Sequence, residues 1–261
     1  MSTPDFRGHD PKALLDAISV IAREAGEVIL PYYREEIVVD DKRDGSPVTA
    51  ADRAADALIV PALRSLTPNI PVVSEESVEA GDVPDVSGGV FWLVDPLDGT
   101  KEFINKRDDF TVNIGLISDG KPVLGVLLTP VDGLLSAGAL GIGAWEEAAD
   151  GTRTPILVRE SDPDGLVVVG SLSHRNPELE AYIASLKVAR SVSRGSALKF
   201  TLVAKGEADV YPRTGPTMEW DTAAGHAVLL AAGGSMTTFD GAPFRYGKPD
   251  FRNGYFIAKG L

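Results

Sequence analysis

The sequence predicts an α/β protein in which helices and sheets form layers. Between residues 166 and 258, short apolar segments with strand character alternate with helical segments, which is typical of layered α/β folds. Residues 110–146 contain successive apolar segments separated by turns, which predicts a run of antiparallel strands. Residues 11–33 place apolar side chains at helical spacing, so we expect an amphipathic helix near the start of the chain.

The composition excludes several classes of protein. The chain has 261 residues, a net charge of −13 and no cysteine. The acidic balance argues against a nucleic-acid-binding surface, and the missing cysteine excludes disulfides and thiolate metal sites. Residues 1–10 lack the apolar core of a signal peptide, and no apolar stretch is long enough to span a bilayer. We therefore expect a cytoplasmic protein, with peripheral association at the inner membrane left open.

The first half is predicted to combine two helices with several strands. Asp10 and Pro11 suit the start of the first helix, and Thr49 suits the N-cap of a second helix that ends at Leu66. Asp52 would then be the acid of a capping box, which is an alternative to a catalytic role. Strands are predicted at 37–39, 70–77, 91–95, 110–117, 122–129, 134–139 and 142–146, with a loop at 79–90 and a polar turn at 150–154.

The second half is predicted to alternate strands with three helices. The first covers 177–186 behind an Asn176 cap, the second covers 196–205, and the third covers 220–232 and ends at a Gly-Gly pair. Strands are predicted at 166–170, 189–192, 208–211, 236–239 and 255–258. We place a boundary that divides the chain into an N-terminal α+β half, 1–155, and a C-terminal α/β half, 156–261.

One short segment carries the strongest chemical signal. An apolar strand leads to Asp95 and Asp98, while Pro96 restricts the backbone and is expected to end the strand. Gly99 allows close backbone approach, and Thr100 adds a hydroxyl beside the two acids. A helical turn starting at Asp98 would leave outward-facing amides that suit an anion. Two carboxylates and these amides suit a divalent cation that carries a phosphate, although a strand-to-turn junction would use the same residues.

A second group of polar residues lies at the ends of predicted elements in the second half. Asp221 occupies the first turn of an apolar helix, where an acid also favours the helix dipole. Small residues at 223–225 would let a phosphate or a metal-bound oxygen approach that helix end. His174, Lys199 and Arg213 could each be structural or solvent-exposed, yet together they supply cationic and polar donors in a strongly acidic chain.

These motifs together resemble the lithium-sensitive, magnesium-dependent phosphatases related to inositol monophosphatase. The resemblance covers most of the chain and rests on residues 46–52, 74–76, 92–103 and 220–225. The Lys-Glu-Phe sequence at 101–103 points to the 3′(2′),5′-bisphosphate nucleotidase branch, which serves sulfur assimilation, because inositol monophosphatases usually have Asn-Phe there. The fold implied is a layered αβαβα sandwich of the sugar-phosphatase type, with the metal ligands mainly in the first half and the substrate-binding residues mainly in the second.

The resemblance also implies roles for individual residues. Two Mg²⁺ ions, and a third weaker one, would be held by Glu75, Asp95, the Leu97 carbonyl, Asp98 and Asp221. Asp52 and Thr100 would orient and deprotonate the attacking water. Substrate contacts are implied for Glu75, Leu97, Asp98, the amides of Gly99 and Thr100, His174, Ser196, Lys199, Arg213 and Asp221.

The leading functional expectation is Mg²⁺-dependent hydrolysis of 3′-phosphoadenosine 5′-phosphate to AMP and phosphate. The same metal core would serve inositol 1-phosphate, fructose 1,6-bisphosphate or histidinol phosphate, so these substrates remain alternatives. A non-catalytic binding module that kept the fold is a second class of function, and the presence of every acid, with Asp52 and Thr100, argues against it. Lithium inhibition and a homodimer are further expectations from the resemblance.

Overall fold

Helices and two large sheets account for most of the regular structure. A computed structural model describes residues 4–35, 39–41, 47–171 and 176–261. The helices are α1 (Pro11–Arg34), α2 (Ala50–Leu66), α3 (Glu75–Glu79), α4 (Thr100–Ile104), α5 (Pro177–Ala184), α6 (Leu198–Ala204) and α7 (Trp220–Ala231). The strands are β1 (Val39–Asp41), β2 (Pro47–Thr49), β3 (Val72–Ser74), β4 (Val90–Asp98), β5 (Thr111–Ser118), β6 (Lys121–Thr129), β7 (Leu134–Ala139), β8 (Gly143–Glu147), β9 (Arg153–Ile156), β10 (Leu166–Gly170), β11 (Val188–Ser193), β12 (Val210–Arg213), β13 (Ser235–Thr238) and β14 (Phe256–Lys259).

The first sheet has seven strands that follow one another in chain order from β3 to β9. β3 is parallel to β4, and every later pair in this sheet is antiparallel. β5 and β6 form a hairpin whose turn residues, Asp119 and Gly120, have φ values of 50° and 73°. Two left-handed residues match the twist of a tight hairpin, so the predicted turn is confirmed.

The second sheet has five strands in the order β11-β10-β12-β14-β13. β10 lies parallel to β11 and β12, whereas β14 is antiparallel to β12 and β13. Helices α5, α6 and α7 connect these strands along the chain, which confirms the alternation predicted for the second half. β1 and β2 form a separate two-stranded ladder.

The seven-stranded sheet is covered on both faces, as alternate side chains of β4 show. Trp92 and Val94 belong to the core shared with α1 and α2, whereas Phe91 and Leu93 belong to the core shared with α6, α7 and the second sheet. On the far side of the second sheet, the Tyr182 ring of α5 lies 5.0 Å from a ring just after β13. The sequence of layers confirms the predicted αβαβα sandwich.

Helix α7 lies directly on the seven-stranded sheet because glycines face it. A Cβ at Gly115 would lie 2.9 Å from the Ala224 nitrogen, and one at Gly125 would lie 2.8 Å from the Ala224 Cα. A Cβ at Gly225 would lie 2.4 Å from the Phe200 ring. The small residues at 223–225 therefore accommodate the sheet and α6, so the expectation that they admit a phosphate is wrong.

The boundaries of two predicted strands need correction. Only residues 72–74 of the segment 70–77 form a strand, because the Ser74 hydroxyl accepts from the Ser77 amide at 3.1 Å and starts α3 at Glu75. Pro96 does not end β4, since pairing with β5 breaks after Asp95 and resumes at Asp98. The following helix begins at residue 100 rather than 98.

Two further differences concern short strands. The predicted turn at 150–154 leads into β9, which pairs with β8 as the edge of the first sheet. Positions 37 and 38 of the strand predicted at 37–39 lie outside the described residues, and β1 begins at Val39. None of the helices in the described ranges is long and apolar enough to cross a bilayer.

Candidate active site

Strand β4 ends with the two acids of the strongest sequence motif, Asp95 and Asp98. Asp95 is 2% exposed, and its Oδ1 accepts a hydrogen bond from the Leu97 amide at 3.0 Å. The break in pairing with β5 occurs between Asp95 and Asp98, so a bulge separates the two acids. Gly99 follows with φ of 94° and starts α4, which places Thr100 at the first helical position. The left-handed conformation explains why glycine stands at position 99.

The Asp98 carboxylate accepts hydrogen bonds from both halves of the chain. Its Oδ2 accepts from the Ala197 amide at 2.5 Å and from Nδ2 of Asn113 at 3.4 Å. Burial raises the pKa of Asp98, and the charge of Lys199 opposes that rise. The hydrogen bond from the Ala197 amide, in the segment before α6, fixes this acid against the second half of the chain.

Asp221 faces the same region from the first turn of α7. Its Oδ2 accepts from the Met218 amide at 2.8 Å. Burial raises the pKa of Asp221 well above its ordinary value, and the charges of Asp98 and Glu75 raise it further. Three carboxyl groups that influence one another in a buried site would be stabilised by a cation.

The carboxylate of Asp52 contacts both Thr49 and Thr100. Its Oδ2 accepts from the Thr49 amide at 2.8 Å and from the Thr49 hydroxyl at 2.6 Å, so the predicted capping box of α2 is confirmed. Its Oδ1 lies 3.3 Å from the Thr100 hydroxyl, which also lies 3.3 Å from the Leu97 carbonyl. The structural and the chemical interpretations of Asp52 are therefore compatible, because each uses a different oxygen.

One cavity of about 280 Å³ is lined by most of the predicted site residues. Its walls include eight residues named from the sequence, which are Glu75, Asp98, Gly99, Thr100, Ser196, Lys199, Arg213 and Asp221. Asp52, Asp95 and Leu97 do not line it and are 3%, 2% and 1% exposed. His174 lies outside the described residues.

Basic side chains also line this cavity. Lys199 is 5% exposed, and burial lowers its pKa to about 8 while the charge of Asp98 opposes that change. Its Nζ donates to the Ser196 carbonyl and, at 3.4 Å, to the Arg194 carbonyl. Arg213 is 7% exposed and donates through Nη2 to the Pro216 carbonyl at 3.3 Å, whereas its buried Nε has no partner among the described residues. Both cations therefore retain unused donor capacity next to the cavity.

The donor set suits a hard cation in its chemistry. Among the described residues, nothing bonds Oδ1 of Asp98 or of Asp221, and neither oxygen is sealed from solvent. Carboxylate oxygens are the ligands that Mg²⁺ prefers. Within the same described ranges, no group of three or more His, Asp or Glu side chains is already arranged to hold a metal. Glu75, Asp98 and Asp221 share the cavity, and metal ligation by them and by Asp95 stays a prediction.

Several residues of the site escaped the sequence reasoning. Ser171, Tyr211 and Thr217 line the cavity, and Asn113 contacts Asp98 from the middle of β5. Asn113 is fully buried and its Oδ1 has no partner in the described part of the chain. A lone amide inside an otherwise apolar strand was the available signal, because buried polar groups normally serve a partner.

Comparison with known proteins assigns the class. The sequence model of the inositol monophosphatase family matches residues 10–259, and the chain therefore belongs to that family. The resemblance inferred from the motifs is confirmed.

Within the family, the chain is highly similar to proteins named CysQ. The chain is 48% identical over 235 residues to the 3′(2′),5′-bisphosphate nucleotidase CysQ of Escherichia coli K12, covering 89% of this chain and 94% of that protein. It is 40% identical over 255 residues to CysQ of Buchnera aphidicola, covering 96% and 95% of the two chains. The crystal structure of CysQ from Bacteroides thetaiotaomicron matches with a TM-score of 0.81 and 38% identity over 97% of this chain and 98% of that one. An inositol monophosphatase from Anabaena matches with a TM-score of 0.76 and 29% identity, over 95% and 90% of the chains.

Proposed function

We propose that this chain is a Mg²⁺-dependent phosphatase that hydrolyses 3′-phosphoadenosine 5′-phosphate to AMP and phosphate. The observation that carries the proposal is that one cavity is lined by the acids Asp98 and Asp221 and by the cations Lys199 and Arg213. Acids that suit a cation and basic groups that suit a second phosphate are what a doubly phosphorylated substrate requires. The names of the CysQ relatives support the choice of substrate.

The proposed proton path uses Thr100 and Asp52. Thr100 lines the cavity, and its hydroxyl lies 3.3 Å from Oδ1 of Asp52. The hydroxyl would take a proton from the attacking water while its own proton passes to Asp52, which acts as the general base. Asp52 is well held for this role because its other oxygen is fixed by two bonds from Thr49.

The remaining residues bind metal or substrate. Glu75, Asp95, the Leu97 carbonyl, Asp98 and Asp221 would hold two Mg²⁺ ions and a weaker third. Bound Mg²⁺ would neutralise charge on the reacting phosphate and lower the pKa of water. The amides of Gly99 and Thr100 at the start of α4 would hold the scissile phosphate, while Ser196, Lys199, Arg213 and His174 would contact the rest of the nucleotide.

Phosphate release tests the proposal directly. Purified protein should release phosphate from 3′-phosphoadenosine 5′-phosphate with Mg²⁺ and not with a chelator. Asp98→Asn and Asp221→Ala should each reduce release to background, whereas Asp164→Asn, whose side chain is 98% exposed, should not. Full activity in either site variant would contradict the metal assignment, and equal release with and without chelator would favour a binding module.

A substrate panel tests the choice within the family. Inositol 1-phosphate, fructose 1,6-bisphosphate and histidinol phosphate should be turned over more slowly than the bisphosphate nucleotide. Arg213→Ala should harm turnover of the nucleotide selectively, because a guanidinium binds phosphate in bidentate fashion. Uniform loss across the panel would contradict that role.

The proposal extends to inhibition, assembly and location. Lithium should inhibit turnover, and a titration to high Li⁺ without effect would contradict this. A homodimer is proposed from the family resemblance, and sedimentation would measure its mass. A cytoplasmic location is proposed separately, and cell fractionation would test it.

A further inference from the structure

The cavity contains a donor that the proposed reaction leaves unused, the hydroxyl of Tyr211. Tyr211 lines the cavity, and the residue is only 4% exposed. No residue in the described ranges forms a hydrogen bond with this hydroxyl, yet its oxygen is not among the polar atoms sealed from solvent. The oxygen therefore opens onto the cavity. Because a buried phenol normally finds a hydrogen-bond partner, the missing partner points to a ligand.

The ring of Tyr211 is held rigidly. Its centroid lies 5.1 Å from that of Phe200 and 5.3 Å from that of Phe256, with interplanar angles of 80° and 87°. These edge-on contacts fix the ring between α6 and the second sheet. Because the ring is already fixed, a ligand that forms a hydrogen bond with the hydroxyl would cost little side-chain entropy, which favours binding.

Tyr211 lies next to basic side chains that line the cavity. Tyr211 and Arg213 are two residues apart on β12, so their side chains leave the same face of the sheet. Nζ of Lys199 lies 5.4 Å from the centroid of the Tyr211 ring. The three side chains thus supply neighbouring donors in the lining of the cavity.

The chemistry of this hydroxyl is that of a donor to anions. Burial raises the pKa of the Tyr211 phenol, and the charges of Asp98 and Asp221 raise it further against the opposing effect of Arg213. The phenol therefore keeps its proton across the neutral range. A protonated hydroxyl beside two cations can stabilise a phosphate that the nearby acids would repel.

We propose that the Tyr211 hydroxyl donates a hydrogen bond to the non-scissile phosphate of the substrate, beside Lys199 and Arg213. Tyr211 is thereby a specificity-determining residue that makes the site prefer nucleoside bisphosphates to nucleoside monophosphates. The inference rests on the proposed function, since it assumes a substrate with a second phosphate.

Tyr211→Phe tests the inference because it removes the hydroxyl and keeps the ring. A hydrogen bond to a charged group contributes about 1.5–3 kcal/mol, so kcat/KM for 3′-phosphoadenosine 5′-phosphate should fall at least about tenfold, mainly through KM. Turnover of 3′-AMP, which lacks the second phosphate, should not change. Tyr182→Phe, on the far side of the second sheet, is the matched control and should change neither substrate.

Titration of the metal-free protein with 5′-AMP and with adenosine supplies a readout without turnover. The product 5′-AMP keeps the non-scissile phosphate, so Tyr211→Phe should weaken its binding about tenfold and leave adenosine unaffected. Thermal unfolding checks that the fold is retained, and Tyr211→Met replaces the variant if Tyr211→Phe does not fold.

The outcomes separate the two proposals. If the protein hydrolyses the bisphosphate but Tyr211→Phe weakens 3′-AMP turnover equally, or leaves 5′-AMP binding unchanged, the role of Tyr211 is refuted and the proposed function stands. If no phosphate is released but 5′-AMP binding depends on the hydroxyl, the proposed function fails and the phosphate contact stands. If the unaltered protein binds 5′-AMP no better than adenosine, the inference is overturned.

Discussion

Asp52 is expected to stabilise α2 and to accept a proton, and two substitutions separate these roles. Its Oδ2 lies 2.8 Å from the Thr49 amide, and its Oδ1 lies 3.3 Å from the Thr100 hydroxyl. Asn at position 52 has a single acceptor oxygen. If that oxygen caps α2, an NH₂ group faces Thr100, whose hydroxyl must then accept rather than donate. Asp52→Asn therefore keeps much of the cap and removes the proton path.

The expected magnitudes differ between the two variants. General base catalysis typically contributes about 10²–10⁴-fold, so Asp52→Asn should lower kcat by that factor. Thr49→Ala removes the N-cap hydroxyl, which should cost about 1 kcal/mol in the free energy of unfolding. Because the Thr49 amide still donates to Oδ2 of Asp52, kcat should fall much less than in Asp52→Asn. Initial-rate phosphate release measures kcat, and urea unfolding measures the stability of both variants.

Two results would refute this reasoning. Near-normal kcat in Asp52→Asn would show that the carboxylate is only a cap. Equal loss of activity in both variants would show that Asp52 matters through the position of the helix and not as a base.

Four further predictions concern buried positions. Because burial lowers the pKa of Lys199 to about 8, 5′-AMP binding to the metal-free protein should weaken above that pH, and a Lys199→Arg variant that keeps the pH dependence would contradict this. Between about pH 8 and the ordinary lysine pKa of 10.5, Lys199 holds a proton in the unfolded chain that it has lost in the folded protein. The free energy of unfolding should therefore rise with pH over this range. Lys199→Met should abolish that rise, as measured by urea unfolding. Gly125→Ala would place a methyl 2.8 Å from Ala224; we expect a loss of about 1–3 kcal/mol, against almost none for Gly254→Ala, which has open space. Glu219→Gln should cost about 1–3 kcal/mol, because the buried carboxylate accepts from two loop amides at 2.8 and 3.0 Å, and an unchanged urea midpoint would contradict that role.

Features fixed by nearby residues were predictable from the sequence. The capping box of α2 depends on Thr49 and Asp52, three positions apart, and the β5–β6 hairpin depends on its two turn residues. Helix α1 was predictable because its apolar stripe and its Asp10 cap are both local. The grouping of acids at element ends was likewise visible, since strand ends and helix starts leave a signal in the sequence.

Features that depend on distant partners were not predictable. The continuation of β4 past Pro96 requires Thr111 of the neighbouring strand as a partner. The bond from the Ala197 amide to Asp98 joins residues 99 positions apart. Tyr211 carries no local signal of function, because an aromatic residue in a strand usually belongs to the core. Its open hydroxyl is apparent only once the cavity around it is known.

The position of α7 has a consequence for any attempt to cut the chain. This helix comes late in the sequence, yet Ala223 and Ala224 belong to the same buried core as Phe91 and Leu127 of the first sheet. A fragment ending near residue 155 would present that sheet face to water, and an exposed apolar surface of this kind promotes aggregation. The proposed metal-binding and substrate-binding halves therefore differ in function but do not form independent folding units. We expect the two pieces to fold only when they are produced together.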